Sequence, residues 1–171
     1  LFVCLPFYVE DVLHASADWY GYLLAAMGLG SIIGALVASR FRQHGIRRGV
    51  LQMVCILCLN GSLLPLSFVR TPLVALALIG VAWACVGFHQ VLLTTLVQKR
   101  TPPAMRGRVF SLLTMIRMGM MPTGIAVFGI IIDQFDGQVS DVLYWAGIAG
   151  LAVGTVAIVH PGFRWFFTGD E

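Results

Sequence analysis

Charge is scarce in this sequence. Only 11% of its residues are Asp, Glu, Lys or Arg, where a water-soluble domain keeps about a quarter. With 58% hydrophobic residues and a mean hydropathy of +0.88, the 171-residue chain cannot cover its surface with polar groups. Lipid must be its solvent. The signatures of covalent chemistry are missing too: there is no nucleophile elbow, phosphate-binding glycine loop or paired-carboxylate site. The lack of a phosphate loop leaves ATP hydrolysis to a separate subunit, if it is used at all. Of the four cysteines, Cys55 and Cys58 have the CxxC form, but inside an apolar run and with no second pair at metal-site spacing. Cys4 and Cys85 read as small hydrophobes. The sequence therefore predicts no metal, no cofactor and no enzyme activity. A net charge of +3 is too small to suggest nucleic acid as a partner. The chain starts at Leu1, and the apolar stretch Leu1–Tyr8 reads as the tail of a helix begun upstream, not as a signal peptide with a basic start. It is expected to be a fragment.

What is present is a series of long apolar runs. A helix rises 1.5 Å per residue, so a ~30 Å hydrocarbon layer takes about 20 residues to cross. Runs of that kind fall at Trp19–Ser39, Gly49–Val69, Leu73–Val97, Val109–Ile132 and Asp141–His160. Short connectors separate them: Arg70-Thr71-Pro72 reads as a tight turn, Thr101-Pro102-Pro103 as a loop, and Pro161-Gly162 as the end of the last helix. No period-two alternation argues for strands. The fold class is all-α, a polytopic transmembrane helix bundle of five complete spans plus the end of one more.

The few charges predict how the bundle sits. One set of connectors holds Arg40, Arg42, Arg47 and Arg48, then Lys99, Arg100, Arg106 and Arg108. The opposite set holds Glu10, Asp11 and Asp18, then Arg70, then Asp133, Asp136 and Asp141. Lys and Arg concentrate in cytoplasmic loops. The first set is therefore assigned to the inside, and the C-terminus from Arg164 to Glu171 follows it.

Within the spans, Ala26, Gly30, Gly34 and Ala38 form one smooth helix face, as do Ala146, Gly150 and Gly154. Small residues let helices approach closely in lipid, so both faces read as packing surfaces compatible with sliding. In the third span, Gly80, Trp83, Gly87, Gln90, Thr94 and Gln98 recur at three- and four-residue steps. Such a stripe is unfavourable against lipid and is expected to face a partner helix or a water-filled cavity. His89 lies near mid-depth; it is either a neutral residue bonded to a neighbouring helix, or a substrate contact or proton carrier. Arg117 is the sharpest signal. It lies about nine residues into the span that starts at Val109, where Arg costs about 2.5–3.5 kcal/mol. No acid occurs at comparable depth in the chain, so Arg117 either snorkels to the surface or serves a transport pathway or gate, with its counter-charge outside this sequence. Pro122 is expected to kink the same helix, and Met115, Met118, Met120 and Met121 make it adaptable.

The basic loops carry a resemblance. Gly34, Arg40, Gly45, Arg47 and Arg48 are arranged like the degenerate second-half copy of the loop motif of the major facilitator superfamily, with Ser39 where an acid would stand. The run Thr101-Pro102-Pro103-Ala104-Met105-Arg106-Gly107-Arg108-Val109-Phe110-Ser111 is similar to the loop before the eleventh helix in the efflux branch that includes macrolide and enterobactin exporters. The resemblance covers essentially the whole chain. It implies the C-terminal half, residues 1–171, of a twelve-helix inner-membrane transporter with its first helix truncated, partnered by a missing N-terminal half. It further implies alternating access about a central cavity and proton-coupled antiport that exports drugs, siderophores or other small amphipathic molecules. In that family the eighth, tenth and eleventh helices contribute to the cavity, which makes Trp83, His89, Gln90, Thr94 and Arg117 the expected pathway residues. The ninth and twelfth helices are peripheral, so Asn60 is expected to be structural. A non-transporting sensor or assembly subunit of the same fold, and a lysophospholipid flippase, remain the alternatives.

Overall fold

The computed structural model describes residues 4–40, 46–135 and 138–159, side chains at 46–48, 133 and 157–159 excepted. The elements are α1 (Cys4–Phe7), which continues as a π-helical turn (Tyr8–Val12), then α2 (Asp18–Arg40), α3 (Ile46–Gly61), α4 (Leu63–Phe68), α5 (Pro72–Arg100), α6 (Arg106–Gln134) and α7 (Val139–Val159). No strand occurs among the described residues. Among the described residues, five helical segments are long and apolar enough to cross a membrane, at the five places the hydropathy predicts. The end of the last helix at Pro161-Gly162 lies outside the described residues.

Proline places several of the boundaries. Pro72 opens α5 at its first turn, where the missing N–H costs nothing, and Thr71 before it is extended at φ −99°, ψ 122°. Pro65 acts differently. It cannot donate to the carbonyl of Gly61, and the second span is accordingly interrupted at Ser62 between α3 and α4. Pro122 lies inside α6, which is helical on both sides of it from Arg106 to Gln134. A short 3₁₀ turn, Pro103–Met105, joins α5 to α6.

The closest packing is between α2 and α5. A Cβ added to Gly30 would strike the carbonyl oxygen of Gly80; one on Gly34 would strike that of Ala84; one on Gly87 would strike that of Ser31. The small-residue face of α2 thus lies directly on the backbone of α5, with Ala26, Gly30, Gly34 and Ala38 all buried. The second small-residue face holds α7 against α3 and α4. Gly150 leaves room for the amide oxygen of Asn60, Gly154 faces Ile56 and Leu57, and Gly147 faces Leu64. The Asn60 amide nitrogen donates to the Ile56 carbonyl at 2.8 Å, which keeps it within its own helix.

The main apolar core gathers at one end, where Cys4, Leu5, Tyr8, Val9 and Val12 meet Leu23, Met27, Leu66, Ile79, Val139 and Val142. Tyr8 is 1% exposed, and its hydroxyl lies 2.9 Å from the carbonyl oxygen of Leu66 and 3.1 Å from that of Val69. Those oxygens belong to the C-terminal end of α4, where carbonyls have no intrahelical donor. Tyr8 therefore caps α4 from another helix. The connection from the π-helical turn to α2 contains His14 at φ 46°, a left-handed conformation unusual for a side chain other than Gly.

Two outcomes follow from this packing. Gly34→Ala is expected to destabilise the detergent-solubilised protein by about 1–3 kcal/mol through overpacking, whereas Gly28→Ala, with open space around it, should gain up to about 1 kcal/mol. Thermal unfolding of the two variants side by side checks the difference in sign. Tyr8→Phe keeps the ring and removes the donor, and should cost about 1–3 kcal/mol in the same assay.

Candidate functional site

The two helices joined by the Thr101–Met105 connector place the sequence-predicted residues. Eleven residues separate His89 from Arg100 at the end of α5, and eleven separate Arg106 from Arg117 in α6. At 1.5 Å per residue, both lie roughly 16 Å along their helices from that connector, near the middle of a ~30 Å layer. The basic side chain that the sequence singles out and the histidine thus share a level in the membrane.

His89 does not sit with Gln90. Its ring is turned to α3, where its Nδ1 lies 2.6 Å from the amide nitrogen of Gln52. Gln52 is 1% exposed, and its Oε1 has no hydrogen-bond partner. An unpartnered buried acceptor costs about 1–3 kcal/mol. This polar pair bridges two membrane helices. Gln52 was not singled out in the sequence, because one amide in the apolar run Gly49–Val69 carries no periodic signal; only its depth in that run hints at a role.

The rest of the polar stripe of α5 divides among three environments. Gly80 and Gly87 serve the contact with α2. Trp83 lines a cavity of about 270 Å³ between α5 and the α3–α4 break, together with Leu59, Asn60, Leu63, Leu66 and Ile79. Gln90 and Gln98 are exposed, and Thr94 is half-buried. The cysteines add to packing: Cys55 is buried with Ala38, Phe88 and Leu92, and Cys85 packs against this cluster.

α6 is set apart from the other spans. Only 6% of its apolar window is buried, against 22–28% for the other four. Arg117 is exposed, and so are Met115, Met118, Met120 and Met121 around it. An arginine in mid-membrane and four flexible thioethers therefore lie on a helix that the described residues leave uncovered nearly all round.

The loop-motif residues have local roles. Gly34 is part of the α2–α5 contact, and Arg40 is the exposed last residue of α2. Ser39 bonds back to the Leu36 carbonyl at 2.7 Å. Gly45 lies outside the described residues; Arg47 and Arg48 fall in the first turn of α3, with undescribed side chains. Arg106 donates through Nε to the Thr101 carbonyl at 3.2 Å and so closes the connector, while Gly107 has open space and Arg108 is exposed.

Comparison with known proteins extends this description. The profile of a family described as "Transmembrane secretion effector" matches residues 1–163. Over 127 residues the chain is 35% identical to "Enterobactin exporter EntS" of Escherichia coli O1:K1 / APEC, covering 71% of this chain and 29% of that protein. It is 34% identical over 122 residues to the protein of the same name from Citrobacter koseri, covering 68% of this chain and 28% of that one. It is also 27% identical over 157 residues to "Multidrug resistance protein 3" of Bacillus subtilis (strain 168), covering 89% of this chain and 30% of that protein. The chain thus spans under a third of the length of these relatives. No solved structure matches it. A helical bundle of five potential spans, matched over nearly its whole length by this profile, belongs to the transmembrane secretion effector family of the major facilitator superfamily, which consists of membrane transporters and not enzymes.

Proposed function

We propose that the chain is the C-terminal half of a secondary active exporter, in which α6 and α5 line the path taken by a small amphipathic molecule. The observation that carries this reading is the uncovered α6 with Arg117 at mid-depth. An exposed guanidinium there is unfavourable against acyl chains, so the face that bears it is suited to water, substrate or a second half of the protein. The methionines beside it suit ligands of varied apolar shape, because a thioether chain adapts to what it touches. An export role agrees with the names of the relatives, an enterobactin exporter and a multidrug resistance protein.

In this reading the two halves rock about a central cavity, and the energy comes from an ion gradient, protons in exchange for substrate. Gln90 and Thr94 contact the solute from α5, and Trp83 and His89 stand behind them. The loop arginines Arg40, Arg47, Arg48, Arg106 and Arg108 stabilise one of the two states by contacts on the cytoplasmic face. This reading puts the protein in the inner membrane with a cytoplasmic C-terminus, supported by the basic connectors at 40–48 and 99–108.

The test uses the full-length protein in proteoliposomes with an imposed pH gradient and a fluorescent amphipathic cation or a catecholate siderophore. Gradient-driven movement of the solute is expected. Arg117→Ala should reduce it at least about tenfold, with unchanged amounts of protein in the membrane, since the lost interaction is a charged one at low dielectric. Unchanged transport in that variant removes Arg117 from the path. Binding of a protein partner with no solute movement at all would favour the sensor or assembly-subunit reading.

A further inference from the structure

The exporter reading leaves open which group in this chain can take up a proton inside the membrane. Among the described residues, the side-chain carboxylates at positions 10, 11, 18 and 141 lie outside the span interiors. His89 is the histidine placed at mid-depth, and the structure gives it a partner whose two ends differ in kind. We propose that Gln52 and His89 form a proton-operated switch in the membrane interior, in which the Gln52 amide turns over when His89 Nδ1 takes a proton. The role of this switch in coupling rests on the exporter reading above; the switch itself does not.

The geometry is specific. The Gln52 amide nitrogen faces Nδ1 of His89 at 2.6 Å. An amide N–H donates and never accepts, so Nδ1 must be the unprotonated nitrogen, and neutral His89 carries its hydrogen on Nε2. Protonation by hydronium forms an N–H bond at Nδ1 as one O–H bond of the donor breaks, leaving water and an imidazolium with a hydrogen on each nitrogen. Two donors would then face each other, which is repulsive. Rotation of the carboxamide by half a turn replaces the nitrogen with Oε1, which accepts from Nδ1–H in a charge-assisted bond. In the structure Oε1 has no hydrogen-bond partner, so the rotation breaks no bond at the far end of the amide, and the charge-assisted bond to Nδ1–H must offset the burial there of the unpaired amide N–H groups. The amide is thus a two-position element biased by the proton on His89 Nδ1.

The surroundings contain few competing charges. On α6, Arg117 is the described charged group at the level of His89 by residue count. On α3, Cys55 and Cys58 are the next ionisable groups after Gln52, and on α5 Cys85 precedes His89 by one turn. The described ionisable side chains of α2 are Asp18, Tyr20 and Tyr22 near its start and Arg40 at its end. Among the described charged side chains, Arg117 is the one that residue counting puts at the level of His89.

The test is nitrogen NMR on the intact transporter in lipid vesicles, with labelled histidine and glutamine side chains, across about pH 5 to 9. At the alkaline end His89 should be the Nε2–H tautomer. On acidification Nδ1–H should appear, and the Gln52 carboxamide signals should move with the same midpoint. Gln52→Glu places a carboxylate beside the ring and should raise the proton affinity of His89 about tenfold or more. Gln52→Leu should leave a histidine that populates both neutral tautomers. An Nδ1–H tautomer in the alkaline wild type, or Gln52 signals indifferent to the titration of His89, would overturn the proposal without need of any variant. These readouts do not involve solute movement. If the wild type moves nothing, the exporter reading fails while the switch stands. If it transports, the midpoint of its pH profile should shift upward with Gln52→Glu.

Discussion

The bundle depends on the approach of α2 to the backbone of α5. In lipid no hydrophobic force drives helices together, so contact must come from close packing. Gly30, Gly34 and Gly87 provide it by allowing Cα atoms to rest on carbonyl oxygens of the opposite helix. A side chain at any of these positions would separate the two helices by the thickness of a methyl group or more. The other spans build on this pair: α3 packs on α5 through Cys55, Phe88 and Leu92, and α7 packs on α3 and α4 through its own glycines. Rigidity at the α2–α5 contact also fixes the rotation of α5 about its axis. That rotation turns His89 towards Gln52 and leaves Gln90 exposed.

Two further constraints come from the backbone. The break at Ser62 follows from Pro65, and the cavity bordered by Trp83 opens beside that break. Tyr8 then closes the end of α4 by reaching its terminal carbonyls. These features belong to the scaffold. By contrast α6 is joined to the bundle mainly at its ends, and its middle, with Arg117 and four methionines, is uncovered. The division is between a packed group of helices and one helix whose middle the described residues leave exposed on nearly every side.

Much of this was legible in the sequence. Apolar runs of about 20 residues have one structural meaning in lipid, and the turn chemistry of Arg70-Thr71-Pro72 marked its boundary closely. The small-residue faces were read as packing surfaces, and both are. The depth of Arg117 followed from counting residues. What could not be read was the order of helices around the bundle. A helical wheel groups Gly80, Gly87 and Gln90 on one side of α5, yet it does not say that α2 covers the glycines and stops short of the amide. Gln52 escaped notice for a related reason: its significance lies in a residue 37 positions away on another helix. The loop motif around Gly45 falls outside the described residues and adds nothing to this comparison.

The central claim is that α6 faces an aqueous path and not acyl chains. Its most direct test is single-cysteine scanning along α6 of the full-length protein, in a background without the native cysteines, using a membrane-impermeant thiol reagent in sealed vesicles. Labelling that recurs every three or four residues, includes position 117, and changes when a substrate or pH gradient is applied is the predicted result. Labelling confined to the ends of the helix, with a silent middle under every condition, would contradict it.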